Sequence, residues 1–264
     1  MTEGRFQRLE LDPPRESVET REGIPARDHR FHLDRARNNH RAGRFEQALQ
    51  DYTRCLEHER TVIPAWVGQV RMLVELGEHA EARLWSDKAL ELFRDNPELL
   101  AAKAQACARL GDLETAFQCS DAALHAPKTS AWRWISRGEV VLASSRADEA
   151  TFRRAAVCFR KALAEEGTDW FDRLTIGRIL VYHHRLSDAL PFLRKAARDA
   201  GESSFAWLEL GRCQEALGMK AEARTSYTEC LALQGHRDEA RAALEGLERK
   251  GILDRLRRMI GRKY

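Results

Sequence analysis

Arginines in register are the first chemistry this sequence offers. Arg37 and Arg71 stand 34 residues apart, Arg178 and Arg212 repeat that spacing, and Gln105 and Glu139 hold the two places between. A guanidinium fork grips a carboxylate through two parallel hydrogen bonds, so such a ladder suits a ligand carrying acidic groups. Seven residues before the last three of these places stand Trp132, Phe171 and Phe205. Four residues before each of the six runs an apolar line: Leu33, Val67, Ala101, Ile135, Leu174 and Leu208. Together they suit a protein or peptide with mixed acidic and hydrophobic side chains. A plainer use is equally open: the apolar residues pack between helices and the arginines are solvated.

Catalytic chemistry finds no foothold. The chain has no G-x-x-x-x-G-K-[ST] loop, no H-E-x-x-H pair and no G-x-S-x-G elbow. His29 and His32 are one turn apart and His183 adjoins His184, but neither pair has acids at metal-ligand spacing. The six cysteines make no C-x-x-C pair, so they are expected to be free thiols acting as small apolar residues. No enzyme activity, metal or cofactor is expected. No apolar run approaches the roughly 18 residues of a membrane span, and the first residues lack the apolar core of a secretory signal. The expectation is therefore a cytoplasmic protein.

The elements that carry these residues recur. Gly43, Gly77, Gly111 and Gly218 share one frame, and each is followed five residues later by an alanine: Ala48, Ala82, Ala116 and Ala223. Two more repeats keep the alanine without the glycine, at Ala155 and Ala189. A second small residue follows at Cys55, Ala89, Ala123, Ala162, Ala196 and Cys230. The third small place is Ala36, Val70, Ala104, Gly138, Gly177 and Gly211. The spacing is 34 except in the fourth repeat, which is five residues longer somewhere in 144–154. Each unit has the pattern of helix, glycine turn, helix. Acids cluster at the start of the second helix, at Glu46, Glu78, Glu81, Asp112, Glu114, Asp188 and Glu222, where negative charge is favoured.

The sixth repeat carries the clearest family signature. Trp207-x-x-Leu210-Gly211 opens it, Ala223-x-x-x-Tyr227 follows, and Cys230 stands in a small-residue place. Trp66 and Trp134 mark the same opening position in repeats two and four. The chain resembles the tetratricopeptide repeat (TPR) family over residues 29–236. The resemblance implies an all-α fold: a right-handed α-solenoid of six helix-turn-helix repeats, about 29–62, 63–96, 97–130, 131–169, 170–203 and 204–236. It also implies that the first helices line a concave groove that holds a partner. The groove residues would be Arg37, Arg71, Gln105, Glu139, Arg178, Arg212, Trp132, Phe171 and Phe205. One TPR subclass grips a terminal carboxylate with lysine, asparagine and arginine. Leu33, Arg37, Gly68, Glu98 and Ala102 stand in those places here, so this clamp is absent from the first three repeats.

The ends differ from the body. Residues 1–28, with Pro13, Pro14 and Pro25, are expected to form a flexible arm; its Phe6, Leu9 and Leu11 could dock elsewhere, including in the groove as a self-inhibitor. Residues 237–250 carry Ala240, Ala243, Leu244 and Leu247 on one face, as a capping helix needs. From Arg249 to Tyr264 there are seven Lys or Arg against one Asp, while the rest carries 37 basic and 40 acidic residues. So little positive charge in the body argues against specific nucleic-acid binding. In the tail 251–264, Ile252, Leu253, Leu256, Met259 and Ile260 can share a face opposite Arg255, Arg257, Arg258, Arg262 and Lys263. Two functions follow as expectations. The first is a non-catalytic scaffold that holds a partner segment in its groove. The alternative is a membrane-surface recruiter tethered by this tail.

Overall fold

A computed structural model of the chain describes residues 28–144, 148–233 and 235–260, with side chains as far as 249. Among the described residues there are thirteen helices and no strand, so the fold is all-α. In order they are α1 (His29–Arg41), α2 (Phe45–His58), α3 (Ile63–Glu75), α4 (His79–Leu92), α5 (Pro97–Leu110), α6 (Leu113–Leu124), α7 (Ala131–Ala143), α8 (Glu149–Ala164), α9 (Trp170–Tyr182), α10 (Leu186–Asp199), α11 (Ser204–Ala216), α12 (Lys220–Ala232) and α13 (Arg237–Ile260). The arm with Phe6, Leu9 and Leu11 lies outside the described residues. So do Arg262 and Lys263, and the side chains of Arg255, Arg257 and Arg258. Part of the insertion, residues 145–147, lies outside them as well; just beyond it α8, at 16 residues, is the longest of the second helices.

The two helices of a hairpin start by different means. Five of the first helices begin on a side-chain cap. Asp28 Oδ1 accepts from the amides of Arg30 and Phe31 at 3.1 and 3.0 Å. Asn96, Ser130, Asp169 and Ser203 do the same for α5, α7, α9 and α11. Each cap supplies an acceptor to amides that have no partner within the helix, worth about 1 kcal/mol. The second helices α2, α4, α10 and α12 have no such cap. Left-handed glycines precede three of them, Gly43 at φ 72° before α2, Gly77 at 81° before α4 and Gly218 at 77° before α12; Gly111 at 82° precedes α6, where the Asp112 side chain also accepts from the Thr115 amide. The amide just past the turn then reaches back into the first helix, as Glu78 N–H does to the Leu73 carbonyl at 2.9 Å. In the fifth hairpin, where the sequence has no glycine, His184 takes the left-handed place at φ 58°.

The helices fall into two compact units, one ending at Thr168 and the other beginning at Asp169. In the first, α1–α8 stack as four hairpins, and the first helices also pack on one another: α1 on α3, α3 on α5 and α5 on α7. Helix α5 buries eight of its 14 residues and α7 nine of 13, which leaves neither a broad solvent face. Small side chains permit this. Ala101, Ala102 and Ala104 line α5, and the Ser136 hydroxyl of α7 donates to the Ala101 carbonyl at 2.6 Å. Gly138 is required on α7 because an added Cβ would collide with the Phe159 ring of α8. Neighbouring hairpins are also joined by ion pairs in register. Lys103 Nζ lies 2.6 Å from Asp87 Oδ1, and Arg137 Nη1, 34 residues further on, lies 2.7 Å from Asp121 Oδ1. One repeat earlier the same place holds Gln69, buried, with neither amide atom hydrogen-bonded.

In the second unit α9 pairs with α10 and α11 with α12, and α13 packs along α12. Its core gathers Leu208, Ala223, Tyr227 and Cys230, closed over by Ala240 and Leu247 of α13. Gly211 lets α12 come close: an added Cβ would lie 2.5 Å from Tyr227 Cε1. Helix α13 has 24 residues where α11 and α12 have 13 each, and it runs through Gly251 without a break.

Candidate protein-interaction face

In the first unit the positions expected to face a ligand are drawn largely into contacts among themselves. Glu139 on α7 is wholly buried. Its Oε2 accepts from Gln105 Nε2 on α5 at 2.6 Å, and its Oε1 accepts from Arg109 Nε, one turn along α5. Arg109 and Glu139 also act on His79. Burial holds that imidazole below its ordinary pKa and the Arg109 charge pushes the same way, with Glu139 opposing. Further down the same seam the Ser130 hydroxyl donates to Glu98 Oε1 at 2.8 Å, and Arg133 Nε lies 3.1 Å from that oxygen. With the Ser136–Ala101 bond between them, the seam has a polar stitch at nearly every turn.

Arg71 and Trp132 also meet. The guanidinium on α3 sits 3.8 Å from the centre of the indole on α7, a cation–π stack that reaches past α5. Trp132 is buried and its Nε1 has no hydrogen-bond partner. Arg37 stands apart from these residues; its side chain is about half exposed and lies 3.6 Å from Asp34.

The second unit arranges its candidates more openly. Arg178 Nε donates to Glu209 Oε2 at 3.0 Å, and Arg212 Nη1 donates to Glu209 Oε1 at 2.8 Å. One carboxylate thus serves two guanidiniums. Arg178 also lies 5.3 Å over the ring of Phe205, which is itself buried and tilted against His236 at 5.5 Å. The Arg212 side chain is 53% exposed, so an acidic group can approach it from solvent. Phe171 is partly buried, edge-on to Trp170 at 5.5 Å.

Several of these contacts were not legible in the spacing. Glu209 carries no signal beyond lying three residues before Arg212. Arg109 and Ser136 fall outside the inner positions marked by the repeat, while Glu98 holds the place that Trp132 fills one repeat later. At the start of the first unit Asp51 is a hub of the same kind, accepting from Arg35 Nε at 2.8 Å and Asn39 Nδ2 at 2.9 Å. His32 lies 3.9 Å from Asp51 and stacks on His58 with ring centres 5.4 Å apart. Burial and the neighbouring His58 depress its pKa.

All six cysteines are buried and unpaired. Burial raises the thiols of Cys55, Cys107, Cys213 and Cys230 to about 11, so they are protonated at neutral pH and poor nucleophiles. Among the described residues no group of His, Cys, Asp and Glu is placed to hold a metal ion, and no helix is long and apolar enough to cross a membrane.

Stacked helical hairpins, small residues at the crossings and an inner face of paired polar side chains define an α-helical repeat scaffold. Family models described as tetratricopeptide repeat match residues 40–106 and 174–233, and the chain belongs to that family. Among solved structures it is similar to a tetratricopeptide repeat protein from Parabacteroides merdae, with a TM-score of 0.52 and 16% identity over 86% of this chain and 87% of that one. It is also similar to a thermophilic TPR protein from Thermus thermophilus, with a TM-score of 0.47 and 13% identity over 83% and 98% of the two chains. A third is YrrB, described as a TPR protein with an unusual peptide-binding site, with a TM-score of 0.41 and 16% identity over 74% and 97%. At 16% identity the first of these likenesses is one of fold alone. The comparison with curated proteins found no match.

Proposed function

We propose that this protein is a non-catalytic, cytoplasmic scaffold that holds an acidic and hydrophobic segment of a partner protein against its first helices. TPR proteins bind protein or peptide partners, and one observation carries the finer reading. Arg212 leans on Glu209, the carboxylate that Arg178 also grips, with its own guanidinium side chain about half exposed, so a cationic group stays within reach of a ligand from solvent. A partner carboxylate can take the exposed side of Arg212 while neighbouring apolar side chains lie on the helix faces. The closed seam of the first unit supports the same assignment, because Glu139, Gln105 and Trp132 are already buried among their own partners.

The test is selection from a random peptide display library, followed by titration of the selected peptides against wild type and Arg212→Glu. Peptides rich in Asp or Glu with flanking apolar residues should emerge, and their affinity should fall at least about tenfold in the variant. Peptides without acidic residues, or equal affinity for both proteins, would rule the reading out.

A further inference from the structure

Helix α13 is longer than the hairpin it covers needs. Twenty-four residues span about 36 Å, against about 20 Å for α11 or α12, so its last turns run past the end of that hairpin. Ala240 and Leu247 join the core of the hairpin, with Ala243 and Leu244 packed beside them, and these fix which side of α13 faces it. At 100° per residue, positions 252, 253, 256, 259 and 260 centre roughly 150° round the axis from positions 240, 244 and 247. The apolar residues of the overhang, Ile252, Leu253, Leu256, Met259 and Ile260, therefore occupy the side opposite the hairpin. Arg255 and Arg258 fall on the hairpin side with Asp254 beside them, and Lys250 and Arg257 lie at its edge.

From this juxtaposition we infer that the overhang of α13 is a docking helix for an anionic lipid surface. Its apolar side enters the interface, and its basic side lies at the level of the headgroups. Two observations choose this occupant. The segment from Arg249 onward carries seven basic residues and one acidic, so pairing with a second copy would bring two strongly positive helices together. An anionic bilayer supplies both the apolar phase and the opposite charge. The hairpin and the apolar stripe lie on opposite sides of one continuous helix, so docking leaves the α11–α12 hairpin on the solvent side. The inference is independent of peptide binding.

The test is co-sedimentation of the full chain with vesicles of mixed phosphatidylcholine and phosphatidylserine, against vesicles of phosphatidylcholine alone. Wild type should pellet with the anionic vesicles and at least about tenfold less with the neutral ones. Leu256→Glu/Ile260→Glu should abolish pelleting while Tm and peptide affinity stay unchanged. Arg255→Glu/Arg258→Glu should weaken it and remove its sensitivity to salt. Failure of wild type to pellet with anionic vesicles, or undiminished pelleting of the apolar variant, overturns the inference. So does concentration-dependent self-association that the apolar variant abolishes while lipid binding is absent.

Discussion

The two compact units treat equivalent positions of the repeat differently. In α7 the inner place holds Glu139, fully buried and bonded to two side chains of α5. In α11 the equivalent place holds Arg212, about half exposed, leaning on Glu209 three residues before it. The first unit uses its inner polar groups to join one hairpin to the next. The second keeps one of its charges within reach of solvent. A single repeat frame can therefore serve cohesion in one place and recognition in another, and what decides is whether the opposing carboxylate is sealed from water.

Removing each carboxylate in turn puts that contrast under the greatest strain. Glu139→Ala leaves the largely buried Arg109 guanidinium without its partner, and should lower stability by about 3–5 kcal/mol. Glu209→Ala acts on a pair open to solvent on one side, and should lower it by about 1 kcal/mol. Urea unfolding of both variants measures the difference; similar losses would erase the distinction between the units.

A smaller effect of opposite sign tests the first unit's dependence on paired polar groups. Gln69 stands where the next two repeats place Lys103 and Arg137, each of which has an aspartate. Gln69→Leu should raise stability by about 1–2 kcal/mol, seen as a higher urea midpoint with an unchanged slope. His184 of the second unit, like Asp95 of the first, holds a left-handed backbone without being glycine. His184→Gly relieves a left-handed residue and should add about 0.5–1 kcal/mol.

The smallest effect is a pH dependence confined to the first unit. His32 and His79 both have pKa values held below the ordinary 6.5, mainly by burial. The unfolded chain therefore takes up protons before the folded one as pH falls. Stability should be full above about pH 6.5 and decline below it, down to the folded pKa values. Tm measured between neutral and mildly acidic pH should drop for wild type and drop less for His32→Gln/His79→Gln.

The frame was legible because backbone geometry writes it directly. A left-handed turn selects glycine at 43, 77, 111 and 218, and a close helix crossing selects glycine or alanine at 138 and 36. His184 shows where that logic stops: the turn persists without its usual residue because the surrounding hairpin determines the conformation. The inner positions were legible as positions and not as engagements. Arg71 and Trp132 were both expected to face a ligand, and their stacking on each other depends on how closely α3, α5 and α7 approach. Arg109 and Glu139, 30 residues apart, meet for the same reason. The Ala-rich stretch of α5 was the available sign that such an approach was possible.

The ion pairs Asp87–Lys103 and Asp121–Arg137 differ by one whole repeat on both sides. Excising residues 97–130 would bring Asp87 opposite Arg137 with its sign preserved, and duplicating that stretch would generate one more such pair. At this joint the third and fourth hairpins are interchangeable parts. Glu139 is not interchangeable: the same excision would put Arg71 and Glu75 in the places of Gln105 and Arg109, setting a second carboxylate where the Arg109 guanidinium now donates. The chain thus combines a coupling that any neighbour can use with a lock that accepts one neighbour alone, and that lock fixes the order of otherwise shuffleable modules.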